Sequence, residues 1–222
     1  MCGRFASWSD KNTILKHYQL EEIPEFYSGY NIYPTTNILV ARQTEKRELV
    51  NLHWGYLPRW CQDKSYETPN SWNHKILGKS RFYAESFRKR RCLIPVDGYY
   101  EWYEKSRPKQ PFFIRVQDSE LFSLAGLWDV WNTPQGPREG CAIIMTPATE
   151  ILAPIHHSTP VIIKPEDYDE WLEQGGERFI ATPSRMDYDY WPVSTRVNSP
   201  QNQGPEILDR IPWPSSVPQW AQ

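Results

Sequence analysis

The chain opens Met1-Cys2-Gly3-Arg4, and removal of Met1 would leave Cys2 with an α-amine and a thiol on adjacent carbons. The two groups ordinarily titrate near about 8 and 8.5, so a useful fraction of each is nucleophilic close to neutrality. An amine condenses with an aldehyde to a Schiff base. A thiol two atoms away then closes a five-membered thiazolidine, a ring closure favoured by proximity. Arg4 places a permanent cation two residues from the thiol; it is expected to depress the thiol pKa and to grip a phosphate bidentately. Taken alone, a Cys near a terminus is more often an ordinary small residue, and an Arg a solvated charge.

Three other groups have chemistry-bearing residues. In Gly98-Tyr99-Tyr100-Glu101-Trp102-Tyr103, strand periodicity puts Tyr99, Glu101 and Tyr103 on one face and Tyr100 and Trp102 on the other. A carboxylate against aromatic surface is desolvated, its pKa rises, and it suits proton transfer; an edge-strand charge that blocks aggregation fits the spacing equally well. In Ala153-Pro154-Ile155-His156-His157-Ser158-Thr159-Pro160, two prolines fix an imidazole fit for proton shuttling, although a single His is more often structural. Finally, Arg88-Lys89-Arg90-Arg91 could follow phosphates. Trp54, Trp60 and Trp72 flank an irregular stretch and could stack on bases, with buried corners the default for each.

These residues need a scaffold. The chain has 222 residues, 39% hydrophobic and 23% charged, enough to bury a core. Its formal net charge of −2 argues against a globally basic binder but leaves room for a local basic groove. No run of about 18 apolar residues suggests a membrane span, and MCGRFASWSDK lacks the apolar stretch of a secretion signal. Four irregularly spaced Cys suggest a reducing cytoplasm rather than a disulfide framework. Without a CxxC pair, HExxH, Walker loop or GxGxxG, neither a metal nor a nucleotide cofactor is expected.

Eleven Trp, thirteen Tyr and twenty Pro favour strands and corners over a helical bundle. Asp10 is placed to cap a short helix carrying Ile14, Leu15 and Tyr18. Strands are expected at 37–42, 48–54, 92–95, 98–103, 111–116, 121–128, 141–146 and 160–163, with a basic helix over 82–90 and a helix starting at Pro165. Residues 61–79 read as an irregular functional loop. The expected fold is α+β: one domain over 1–222, antiparallel sheets in a barrel- or sandwich-like core, a few short helices, and a Pro-rich tail that frays or packs as coil from about 211.

Taken in order, Met1-Cys2-Gly3-Arg4-Phe5, Tyr30-Asn31-Ile32-Tyr33-Pro34-Thr35, Trp54-Gly55-Tyr56-Leu57-Pro58, the run from Arg90 through Pro95-Val96-Asp97-Gly98-Tyr99-Tyr100-Glu101-Trp102, Ile155-His156, Pro192-Val193-Ser194 and Val197-Asn198 resemble the SOS-response-associated peptidase family of abasic-site processing proteins. The resemblance runs from residue 2 to about 208. It implies covalent capture of abasic sites in single-stranded DNA by a terminal Cys, mapped onto Cys2. It maps the family Glu onto Glu101, for proton movement during Schiff-base formation, crosslink reversal and release of Met1. It maps the family His onto His156, for opening the sugar ring. Lyase chemistry by β-elimination is a side path.

The family Asn that orients the sugar aldehyde falls on Asn70, 31 positions before Glu101, or with a gap on Asn73. Expected DNA contacts are Arg4, Asn31, Pro34, Trp54, Arg59, Trp60, Asn73 and Arg81. Two family arginines are missing: Trp72 and Ser158 stand in their places. The expected partner is single-stranded DNA with abasic sites, bound by a monomer. Two competing readings are an N-terminal-nucleophile amidohydrolase, which also begins Met-Cys-Gly, and a non-covalent single-stranded DNA-binding module.

Overall fold

A computed structural model of the chain describes residues 2–182 and 185–218. Met1 and residues 219–222 of the tail therefore lie outside the described residues. Along the chain come β1 (Phe5–Ser7), α1 (Lys11–Tyr18), β2 (Gly29–Ile32), β3 (Asn37–Gln43), β4 (Arg47–Trp54), β5 (Asn70–Trp72), α2 (Asn73–Leu77), α3 (Ala84–Lys89) and β6 (Arg91–Val96). Then follow β7 (Gly98–Tyr103), β8 (Gln110–Val116), β9 (Phe122–Thr133), β10 (Gly136–Pro147), β11 (Ser158–Pro160), β12 (Ile162–Ile163), α4 (Glu177–Ala181) and β13 (Tyr188–Pro192). The helices are short and locally specified. Asp10 caps α1 by accepting from the Thr13 N–H at 2.8 Å, and Ile14 and Tyr18 are its buried residues.

Continuous apolar runs make strands buried on both faces. In β3, Ile38 and Val40 pack on one side while Leu39 and Ala41 pack on the other. β3 pairs with β4 and β6, β6 with β9, β9 with β10, and β10 back with β4, closing a five-stranded barrel. The pairings are antiparallel except β10 with β4 and with β5, which are parallel. A second sheet runs in the order β13-β8-β7-β1-β2. Its inner face brings Cys2, Phe5, Tyr99 and Phe112 against Trp54, Ile94, Leu124 and Ile143 of the barrel. Its outer face carries Ala6, Tyr100 and Phe113 under Val193, Val197 and Ile207. The α+β expectation with an antiparallel, barrel-like core therefore holds, as does the face assignment within β7.

Several local expectations are corrected. The stretch 61–79 is not simply a loop: Asn70-Ser71-Trp72 pairs in parallel with Ile143, Ile144 and Met145, and α2 follows. That strand exists because a distant partner is available, a preference invisible in local pattern. β9 and β10 run beyond their apolar stretches into a polar hairpin closed at Thr133–Gly136, where Gly136 has φ of 109°. The segment after Pro165 is a 3-10 turn followed by a π-turn that buries Trp171 and Leu172. Of the two outcomes expected for the tail, its described part takes the packed one: Trp213 and Val217 pack on the core, and the Trp213 ring meets Phe112 edge-on at 5.4 Å. Half of the basic run is internal, since Arg90 pairs with buried Asp129 and Arg91 donates to the Leu172 carbonyl. Cys2, Cys61, Cys92 and Cys141 are all free thiols. Among the described residues no helix is long and apolar enough to cross a membrane.

Candidate active site

β1 and β7 pair with Phe5 opposite Tyr99 and Ala6 opposite Gly98, and the Tyr100 N–H donates to the Arg4 carbonyl at 3.0 Å. Continued toward the N-terminus, this register runs Gly3 and Cys2 alongside Glu101. Asp97 anchors the other end of β1 by accepting from the Trp8 and Ser9 N–H groups at 2.5 and 3.0 Å. Gly98 leaves room for the Phe113 ring of the neighbouring strand β8, which a Cβ there would strike. Cys2 is fully buried, and Asn70 Nδ2 donates to its carbonyl at 2.9 Å. Asn70 is itself buried, and among the described residues its Oδ1 has no hydrogen-bond partner. An orphaned buried acceptor is costly and needs a reason; here it belongs to the amide that holds the candidate nucleophile's carbonyl.

Glu101 is buried, and its carboxyl is pushed up to about 8, chiefly by desolvation with the Glu104 charge adding to it. The His156 ring places Nδ1 3.8 Å from Glu101 Oε2. Ser158 holds that ring: its N–H and hydroxyl both lie 3.1 Å from Nδ1. Burial lowers the imidazole to about 4, so it is neutral near pH 7 while much of Glu101 is protonated. A protonated carboxyl beside a neutral imidazole can give and accept a proton without building net charge in a dry site. Tyr99 fixes the adjoining wall, its hydroxyl 2.9 Å from Thr159 Oγ1. Gly3, Arg4, Glu101, Trp102, Glu104, Lys109 and His156 line a cavity of about 480 Å³. A larger hollow of about 920 Å³, lined by Lys11, Lys46, Arg47 and Glu48 among others, contains none of these groups.

The expected effect of Arg4 is corrected. Burial raises the Cys2 thiol well above its ordinary value, and the Glu101 charge raises it further. The Arg4 guanidinium is half-buried and turned onto Asn31 Oδ1 and the Val197 carbonyl, both at 2.7 Å, and the Asn198 carbonyl at 3.2 Å. It forms no ion pair among the described residues, and one side remains on the cavity.

The structure separates the remaining expected contacts. Asn31 is fully buried, its Nδ2 facing the Val197, Ser199 and Asn202 carbonyls. Trp54 is fully buried and donates to the Pro69 carbonyl. Asn73 is buried and donates to Thr146 Oγ1 and the Ile180 carbonyl, so it does not compete with Asn70 for a place beside Cys2. Each of these three satisfies interior polar groups or fills a core, and none presents a side chain to a polymer. Pro34 is half-buried in the turn after β2. Arg59 is tied to Asp129 at 2.9 Å. Trp60 is 46% exposed, with the Arg81 guanidinium 4.8 Å above its ring. Arg59, Trp60 and Arg81 do not line the cavity. Ser158, at a position where a phosphate-binding arginine was expected, points inward onto His156, and half-buried Trp72 stacks on His157 at 5.9 Å. Reasoning from sequence missed Ser158, Thr159 and Glu104 as parts of this site; only the Pro-bracketed His segment hinted at the first two.

The family described as SOS response associated peptidase (SRAP) matches residues 1–200. The abasic site processing protein YoqW of Bacillus subtilis is 32% identical over 223 residues, covering 94% of this chain and 99% of that protein. The abasic site processing protein HMCES of Gallus gallus is 29% identical, covering 86% of this chain and 68% of that one. Among solved structures, a protein from Bacteroides thetaiotaomicron superposes with a TM-score of 0.79 at 23% identity, covering 95% of this chain and all of that one.

Proposed function

Because the chain belongs to the SOS-response-associated peptidase family, we propose that it captures abasic sites in single-stranded DNA as a covalent adduct on Cys2 once Met1 has been removed. The observation that carries this reading is the convergence on one buried residue: Asn70 on the Cys2 carbonyl, and the Glu101–His156 pair beside it. The ring-opened deoxyribose of an abasic site is an aldehyde. The Cys2 amine attacks its carbon, and the carbinolamine loses one water to give an imine. The thiol then adds to the imine carbon, its proton passing to the nitrogen, and the thiazolidine closes.

The raised thiol pKa fits an order in which the amine reacts first, because a neutral thiol is the weaker nucleophile. Glu101, protonated near neutrality, donates to the departing hydroxyl and moves protons in the reverse reaction and in release of Met1. Neutral His156 accepts the sugar hydroxyl proton as the ring opens. Asn70 steers the aldehyde through Oδ1, and Arg4 draws a flanking phosphate to the cavity mouth. Strand scission by β-elimination follows from the same imine, which acidifies the neighbouring C–H.

The test is a denaturing gel of the protein, its mature N-terminus confirmed by intact mass, with abasic, intact and duplex oligonucleotides. A heat-resistant shifted band is expected with the abasic single strand only. The same band with Cys2→Ala, unreduced, would remove Cys2 from the reaction.

A further inference from the structure

We propose that Glu104, His156 and His157 form a binding site for a borderline divalent cation such as zinc at the rim of the catalytic cavity, and that occupancy switches the site off. Among the described residues these three each offer one ligand atom, and all three atoms lie within 4.8 Å of one another. His156 Nε2 is 3.9 Å from Glu104 Oε1, and His157 Nδ1 is 3.8 Å from Glu104 Oε2. Tetrahedral bonds of about 2.0–2.1 Å to two imidazoles and a carboxylate require donor separations of roughly 3.3 Å. Closing from at most 4.8 Å takes up to about 1.5 Å of movement. It falls on the exposed side chains, Glu104 at 48% and His157 at 62%, rather than on His156 at 7%.

Two further features favour a built site over a chance cluster. The His157 ring is held between neighbours, 4.2 Å from the His156 ring and stacked on Trp72 with an interplanar angle of 14°. Ser158 engages the other ring nitrogen, its N–H and hydroxyl 3.1 Å and its carbonyl 3.2 Å from His156 Nδ1, which orients the ring and leaves Nε2 for the ion. Outer-shell contacts of this kind set the orientation of metal-bound imidazoles. Two His and one Glu select zinc-like ions over magnesium or calcium, which prefer all-oxygen sets. The fourth position stays open to water.

The consequence for activity rests on the proposed function. A cation on Nε2 takes His156 out of proton transfer and pins Glu104 across a cavity that both residues line. Loss of one positioned proton-transfer group slows a reaction about 100-fold or more.

Zinc binding to the full chain is measured by titration calorimetry and by competition with a chromophoric chelator. Wild type, Glu104→Gln, His157→Asn and Cys2→Ala are compared, the last because a terminal aminothiol is itself a zinc ligand. One zinc per chain is expected, unchanged in Cys2→Ala. It should weaken in each of the other two by at least the roughly 10- to 100-fold that loss of an outer-shell partner alone costs. Zinc should slow adduct formation in wild type and leave His157→Asn at its metal-free rate. Absence of binding at micromolar zinc, binding that survives both ligand substitutions, binding lost in Cys2→Ala, or equal inhibition of His157→Asn each overturns the site. Stoichiometric binding by a wild-type protein that makes no adduct when metal-free upholds the site and refutes the crosslinking reading instead.

Discussion

Replacing Glu101 by Gln should make the protein more stable in alkaline solution. Burial holds the folded carboxyl protonated up to about 8, whereas the unfolded chain ionises it near 4.5. Between those values the native state carries more protons than the unfolded state, so this residue's contribution to stability falls as pH rises. Each pH unit is worth about 1.4 kcal/mol, which sets a ceiling of roughly 5 kcal/mol across the interval. Water entering the cavity brings the expected difference down to about 2–4 kcal/mol. Gln keeps the shape and cannot ionise, so it escapes the penalty. Wild type and Glu101→Gln, with the same N-terminal residue verified by mass, are unfolded in urea at pH 5, 7 and 9. The variant should match wild type within about 1 kcal/mol at pH 5 and exceed it at pH 9. The melting temperatures should then differ by about 4–15 °C. His156 loses stability only as pH falls below its ordinary value, so the comparison at pH 7 and 9 is little affected by it. Parallel pH profiles would mean that Glu101 is solvated and that its proton is not held by burial.

Other outcomes follow from the same geometry. Asn73→Ala should lower stability by about 1–3 kcal/mol, since it strips two buried groups of their donor, while leaving adduct formation intact in folded protein; Asn70→Ala, which strips the Cys2 carbonyl of its donor, should slow adduct formation in the protein that folds, read by gel. The His156 imidazole should titrate well below its ordinary range, at about 4, and Ser158→Ala should move that value, as followed by NMR; a normal titration would place the ring in solvent. Trp54→Ala should cost about 3–5 kcal/mol of stability without changing DNA affinity in the protein that folds. Arg4→Gln should reduce the slope of log affinity against log salt by about 0.7; an unchanged slope would mean that Arg4 serves only Asn31 and the Val197 carbonyl.

Much of this molecule could be read from sequence because the signals were local. The apolar run of 37–42, alternation around Glu101, the Asp10 cap and the Cys2-Gly3-Arg4 opening each state their meaning within a few residues. The ordered family blocks then joined Cys2, Glu101 and His156 before any contact was known. What sequence could not show depends on partners far along the chain. β5 forms only because β10 offers a free edge, and that pairing alone sets Asn70 on Cys2 and sends Asn73 into the core. Polar and aromatic residues of the family-like blocks, such as Asn31 and Trp54, read as contacts until closure of the barrel and its neighbouring sheet buried them. The sign of the thiol shift also had to wait. A cation two residues away predicts a low pKa, but desolvation depends on everything packed around a group, and at Cys2 it raises the thiol, with the Glu101 charge adding to it, while the Arg4 guanidinium is turned onto Asn31 and the Val197 carbonyl.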